Sequence, residues 1–208
     1  MLGQKKRVQP AMIRAVLPFA GIFDYAFGKI IGWDFRQPPP ETSGENLDLD
    51  SLMDCVNKFT SKHRLRPEYD RCSLKWIYQV LKDNTHRGRL KGNVVLNKAG
   101  RQLGAYLYYI TPNKNCEVIF LAAHPKCRET VLRHLLNSAY KHGAVGVIGR
   151  METDFLDLFW QNNFFAKRAN WTLIHSKNNE LLDIFHRGQA FISALEGELW
   201  LHSPEDRL

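Results

Sequence analysis

Residues 102–149 read QLGAYLYYITPNKNCEVIFLAAHPKCRETVLRHLLNSAYKHGAVGVIG. Gln102 to Thr111 is rich in Tyr, Leu and Ile, as strands are. Pro112-Asn113-Lys114-Asn115 is a turn. Glu117 to Ala123 is a nearly continuous apolar run, the pattern of a strand covered on both faces. Pro125 then opens a helix to Lys141, with Val131, Leu132, Leu135 and Leu136 on its inner side. His142-Gly143 ends it with glycine just past the last turn. Ala144 to Gly149 is a second buried strand. A strand, a crossing helix and another strand make a parallel pair. One stretch thus holds both a tight antiparallel turn and a parallel crossover. The fold class it implies is α+β, with a mixed, mostly antiparallel sheet flanked by helices.

Upstream, Asn93 to Asn97 is a short apolar run before the turn Lys98-Ala99-Gly100, so three strands form a meander. Two amphipathic helices precede it. The first runs from about Leu49 to Lys62, with Leu49, Leu52, Met53, Val56 and Phe59 on one face and Asp48 or Asp50 as cap. The second runs from about Tyr69 to Asp83, with Leu74, Ile77, Tyr78 and Leu81 on its stripe. Gln37 to Asn46, with Pro38-Pro39-Pro40, is a break that neither helix nor central strand can cross. Ile30 to Arg36 reads as a short strand before it. Downstream come a helix over Asp154 to Asn162, a strand over Trp171 to His175 and a helix over Asn179 to Phe185. Residues 1–29 read as an arm or linker and residues 30–208 as one domain.

The 208 residues carry 29 Lys and Arg against 21 Asp and Glu, a net charge of +8. That balance favours anionic partners, but the basic residues are spread along the chain rather than interleaved with aromatics, which counts against a nucleic-acid surface. Cys55, Cys72, Cys116 and Cys127 form no Cys-x-x-Cys pair and suit neither a zinc site nor a disulfide framework, so a reducing cytoplasm is expected. Ala11 to Ile31 is the most apolar segment. Arg14, Pro18, Asp24 and Lys29 interrupt it, so it is no bilayer span, and membrane contact is limited to its surface.

The element order resembles that of the GNAT superfamily of N-acyltransferases. More narrowly, the chain is similar to the carboxy-terminal GNAT-like domain of bacterial tandem proteins. The likeness rests on Arg66-Pro67-Glu68-Tyr69, Leu74-Lys75-Trp76-Ile77-Tyr78, Leu103-Gly104-Ala105-Tyr106, Ala123-His124-Pro125 and Phe159-Trp160-Gln161-Asn162-Asn163-Phe164. Ile77 stands where that group usually has Arg. The likeness covers about Ile30 to His175.

The resemblance implies a cofactor site for acetyl-CoA or another acyl-CoA. Leu121 and Ala123, on the strand before the crossing helix, would pair with the pantetheine. Lys126, Arg128, Thr130 and Arg133 would surround the pyrophosphate at the helix start, where free amides and the helix dipole favour anions. The family keeps that turn open with small residues. Here those places fall on Glu129, expected to set an anion near the pyrophosphate, and on Val131 and Arg133, expected to crowd it.

For catalysis the resemblance implies Glu117 as base, against a plain strand-end carboxylate in solvent. The family's Tyr acid falls on Phe159, which has no proton to donate. Tyr106, Tyr108 or Tyr109 would replace it, Tyr108 being taken as the candidate, although strand aromatics usually pack in the core. No metal is implied. Two functional readings follow. One is acyl transfer from acetyl-CoA to an unknown amine. The other is a non-catalytic GNAT-like module that partners a second GNAT domain or a second copy of itself.

Overall fold

A computed structural model describes residues 39, 41–162, 164–166 and 174–196. The expected arm over 1–29, the strand over Ile30 to Arg36, Asn163 and residues 171–173 lie outside them. Among the described residues the sheet has five strands in sequential order. They are β1 (Thr42–Asn46), β2 (Arg89–Asn97), β3 (Gln102–Ile110), β4 (Asn115–Ala123) and β5 (Gly146–Gly149). Neighbours are antiparallel from β1 to β4, and β4 and β5 are parallel. The mixed α+β architecture expected from residues 102–149 is present.

Between β1 and β2 lie α1 (Leu49–Thr60) and α2 (Arg71–Asp83). Each starts on an aspartate. Asp48 accepts from the Ser51 amide and Asp70 from the Ser73 amide, both at 2.8 Å, which satisfies amides that a helix start leaves free. Leu52, Cys55, Val56 and Phe59 of α1 and Leu74, Ile77 and Leu81 of α2 are buried. They pack on the sheet face that carries Ala105, Leu107, Tyr109, Phe120 and Ala122. The crossing helix α3 (Arg128–Lys141) covers the opposite face, where Tyr106 meets His134 and Tyr108 meets Ser138. A short α4 (Leu156–Gln161) follows β5, and α5 (Asn179–His186) comes later.

Two registers position the rest. Gly88 has φ 117°, and a Cβ there would lie 1.9 Å from the Ile110 carbonyl oxygen, so only glycine lets β2 enter beside the end of β3. Between β3 and β4, Leu107 faces Phe120 while Tyr108 faces Val118, which leaves Ile119 as an extra residue in a bulge. β5 pairs with β4 only from Asn115 to Val118 and stops where the bulge begins.

Three expectations need correcting. Thr42–Asn46 is not part of the break but an edge strand. Its polar sequence shows no alternation, and short polar strands are what exposed edges tolerate. β2 begins at Arg89, four residues before the apolar run, because Arg89 and Lys91 keep strand pairing while pointing their heads to water. β5 is not buried. Val145, just before it, and Ile148 are 76% and 46% exposed, since among the described residues no strand pairs with β5 on the side away from β4. Of the strand expected over Trp171 to His175, the described residues Ile174 and His175 take no part in a strand.

Candidate functional site

Beyond Val118, β4 has no partner on its β5 side among the described residues. All four residues of β5 pair with β4, so β5 ends there, and the unpaired stretch of β4 is where the resemblance would place the pantetheine. The slot is not open, however. Ile119, Phe120, Leu121, Ala122 and Ala123 are each between 1% and 3% exposed, backbone included. The chain itself supplies part of the cover. A 3-10 turn at Ala194–Glu196 packs against β4, and the Phe191 ring meets the Phe120 ring edge-on at 6.1 Å. Phe191, Ala194 and Leu195 share one core cluster with Ile119, Phe120 and Ala122.

That covering segment is held at several points. The Arg64 amide donates to Gln189 O at 3.1 Å and the Phe191 amide to Leu65 O at 2.9 Å. The Tyr69 hydroxyl donates to Glu196 at 2.5 Å, and Ser193 donates to the other Glu196 oxygen through its amide and its hydroxyl. Burial of this kind is what a packed core shows, and it leaves no slot into which a thioester arm fits.

The turn after β4 is a short 3-10 segment, Pro125–Cys127, and α3 begins at Arg128. Lys126 is exposed, while Thr130 and Arg133 are half-buried. Val131 does not crowd the turn as expected. It is fully buried and points at β3, where a Cβ on Gly104 would come within 2.8 Å of its Cγ2. Glu129 does face solvent at the helix start. Arg128 reaches neither water alone nor an open cradle. Its Nη2 lies 2.9 Å from Asp154 Oδ1, while Lys62 Nζ lies 2.7 Å and His63 Nε2 3.5 Å from Asp154 Oδ2. Burial pushes the Asp154 carboxyl up, but the hydrogen bonds from His63 and Lys62 and the charges of Lys62 and Arg128 outweigh it. Together they hold the carboxyl well below the usual range.

Glu117 is not a strand-end carboxylate in solvent. Its Oε1 accepts from Arg87 Nη2 at 2.6 Å, with both side chains largely buried. Burial raises its proton affinity and Arg87 opposes that. The Arg87 guanidinium also sits 5.6 Å from the centre of the Tyr109 ring. Tyr108 is fully buried on the other face, bonded to Ser138 Oγ at 2.8 Å and His142 Nδ1 at 2.9 Å. The structure therefore does not bring Glu117 and Tyr108 together. Tyr106 shares the Tyr108 face, bonded to His134, and burial pushes its hydroxyl up to about 12. Phe159 is stacked on Phe155 at 6.0 Å and lies 5.1 Å from Phe164, so the place of the family's acid is an aromatic contact.

Acyl-CoA does not fit the described site: the strand edge it would line is packed and the expected phosphate arginine is paired. Reading the sequence missed Arg87, Asp154 and Glu196, whose contacts with Glu117, Arg128 and Tyr69 join residues far apart in the chain, which no local pattern records.

No family model matches the chain, and no curated protein matches it. Solved structures do. The chain is similar to acetyltransferases of known structure. A Trypanosoma brucei acetyltransferase is 17% identical, with 64% of this chain covering 99% of that one at TM-score 0.44. A putative acetyl transferase from Pyrococcus furiosus is 16% identical over 66% of this chain and 99% of that one, at 0.44. Glucosamine-6-phosphate N-acetyltransferase from Arabidopsis thaliana is 8% identical over 65% and 99%, at 0.45. Among the described residues, no helix is long and apolar enough to cross a membrane.

Proposed function

We propose that this chain is a GNAT-like module without acyl-transfer activity, serving as the structural or recognition half of an assembly with a second GNAT domain or a second copy. One observation carries the reading. The half of β4 that runs past the end of β5 is buried at Ile119–Ala123, with Phe191 and Ala194–Glu196 packed against the same strand. The separation of Glu117 from Tyr108 and the pairing of Arg128 with Asp154 support it further.

A second reading is acyl transfer from acetyl-CoA to an amine. The bulge at Ile119 and the end of β5 pairing at Val118 favour it. Under that reading the segment 189–196 has to leave β4 before a ligand enters. Lys126, Arg128, Thr130 and Arg133 would then lie near the phosphates.

Thermal unfolding with and without acetyl-CoA separates the two. A ligand that binds only the folded state, at about a hundred times its Kd, adds about 2.7 kcal/mol of stability. The first reading expects no rise in Tm at millimolar acetyl-CoA that depends on Lys126. A rise in Tm that Lys126→Glu abolishes would establish the second.

A further inference from the structure

Gly88 and Arg89 line two neighbouring cavities where β2 begins and β3 ends, near the start of β4 and away from the turn that opens α3. The first is about 460 Å³ and the second about 380 Å³. Lys82, Arg89 and Lys91 line the first, over a floor of Leu47, Leu90 and Leu107. Arg89 also lines the second, together with Lys114 and His142. Among the described residues no aspartate or glutamate lines either one.

The cations are placed by the fold. The positive φ at Gly88 interrupts strand alternation, so that Arg87, just before it, turns inward to Glu117 while Arg89, just after it, is exposed. Lys82 Nζ sits 5.6 Å from the centre of the Tyr78 ring, and the Tyr78 hydroxyl is anchored on Leu47 O at 2.9 Å. His142 records the positive potential. Burial lowers its proton affinity, and Lys91 and Arg89 lower it further, against a hydrogen bond to the Ser138 backbone that raises it.

We propose that this paired cleft binds a small phosphorylated ligand with an apolar or aromatic body. Both cavities are of the size that small-molecule ligands occupy. Concave walls lined by one sign of charge concentrate anions far more than a flat basic surface does. Arg89, shared by both cavities, is placed to hold a diphosphate, since its planar fork suits phosphoryl oxygens. Leu90 and the Tyr78 ring are placed to cover the body of the ligand.

Calorimetric titration tests this with ADP, inorganic pyrophosphate and adenosine as probes. ADP is expected to bind saturably and more weakly as salt rises. Arg89→Glu and Lys91→Glu are each expected to weaken it about tenfold or more, the effect of losing a charge-assisted contact. Arg89 is exposed at the start of β2 and Lys91 is half-buried two residues on, and unchanged Tm values would confirm that the variants fold. Lys126→Glu, at the start of α3, is expected to change nothing. Absence of saturable heat with ADP overturns the proposal. So does ADP binding that survives both cleft variants and is lost in Lys126→Glu, which would place the anion at the α3 turn. Pyrophosphate binding as tightly as ADP overturns the role given to the apolar floor.

Discussion

Arg87 and Glu117 form a buried pair in which Arg87 Nε and Nη1 and Glu117 Oε2 have no hydrogen-bond partner among the described residues. Such a pair is weak support for stability when intact, yet removing one member strands a charge in the core. Glu117→Ala or Arg87→Ala is therefore expected to cost about 3–5 kcal/mol in chemical denaturation, and the double Arg87→Met, Glu117→Leu to recover most of it. Glu152 gives a pH prediction. Burial pushes its carboxyl from 4.5 to about 8, with Arg150 opposing and the nearby Glu196 and Asp154 adding to the rise. The folded protein thus keeps a proton that the unfolded chain releases. Stability is full below the unfolded value and falls as pH rises toward the folded one, by at most about 1.4 kcal/mol per pH unit. Glu152→Gln is expected to flatten the fall in Tm across that window. Asp154 acts with the opposite sign, its lowered carboxyl losing stability only on acidification. A wild-type Tm that rises over the same range would contradict this account of Glu152.

Among the elements, α1, α2 and α3 were legible because their apolar residues recur at helical spacing and their ends carry Asp48, Asp70 and Gly143. Those ends are testable. Asp48→Ala removes the acceptor for the Ser51 amide and is expected to cost about 1 kcal/mol, read as a shift in the denaturant midpoint without a change in slope. Gly88→Ala forces a side chain into the Ile110 carbonyl at a positive φ. It should destabilise far more than Gly100→Ala, which has a similar φ but nothing within 4 Å. β1 was not legible. Thr42–Asn46 has no apolar alternation, and the proline run before it masks its start. β5 was legible as a strand but not in its exposure, since burial depends on what lies beside it and Gly-Val-Ile-Gly reads alike in either setting. The candidate site divided the same way. The turn at Pro125 and the bare Phe159 position were visible, whereas the Arg128–Asp154 and Arg87–Glu117 pairings were not, because each joins residues far apart in the chain.

For the molecule as a whole, the described strands form one mixed sheet, and the half of β4 beyond its pairing with β5 is packed against other parts of the chain. The parallel contact of Leu65 with Ala190 ties the loop after α1 to the segment that covers β4. This makes the closure a property of the fold rather than of one side chain. A partner role then rests on surfaces other than this slot, and the basic cleft at Arg89 works whether the slot opens or not. The decisive measurement is calorimetric titration of the whole chain with acetyl-CoA and free CoA. A closed β4 edge predicts that Arg128→Glu and Lys126→Glu leave unchanged any heat seen with millimolar ligand, since such heat would come from the cleft at Arg89. Saturable binding of acetyl-CoA that Arg128→Glu and Lys126→Glu abolish, with Arg89→Glu binding as before, would contradict it.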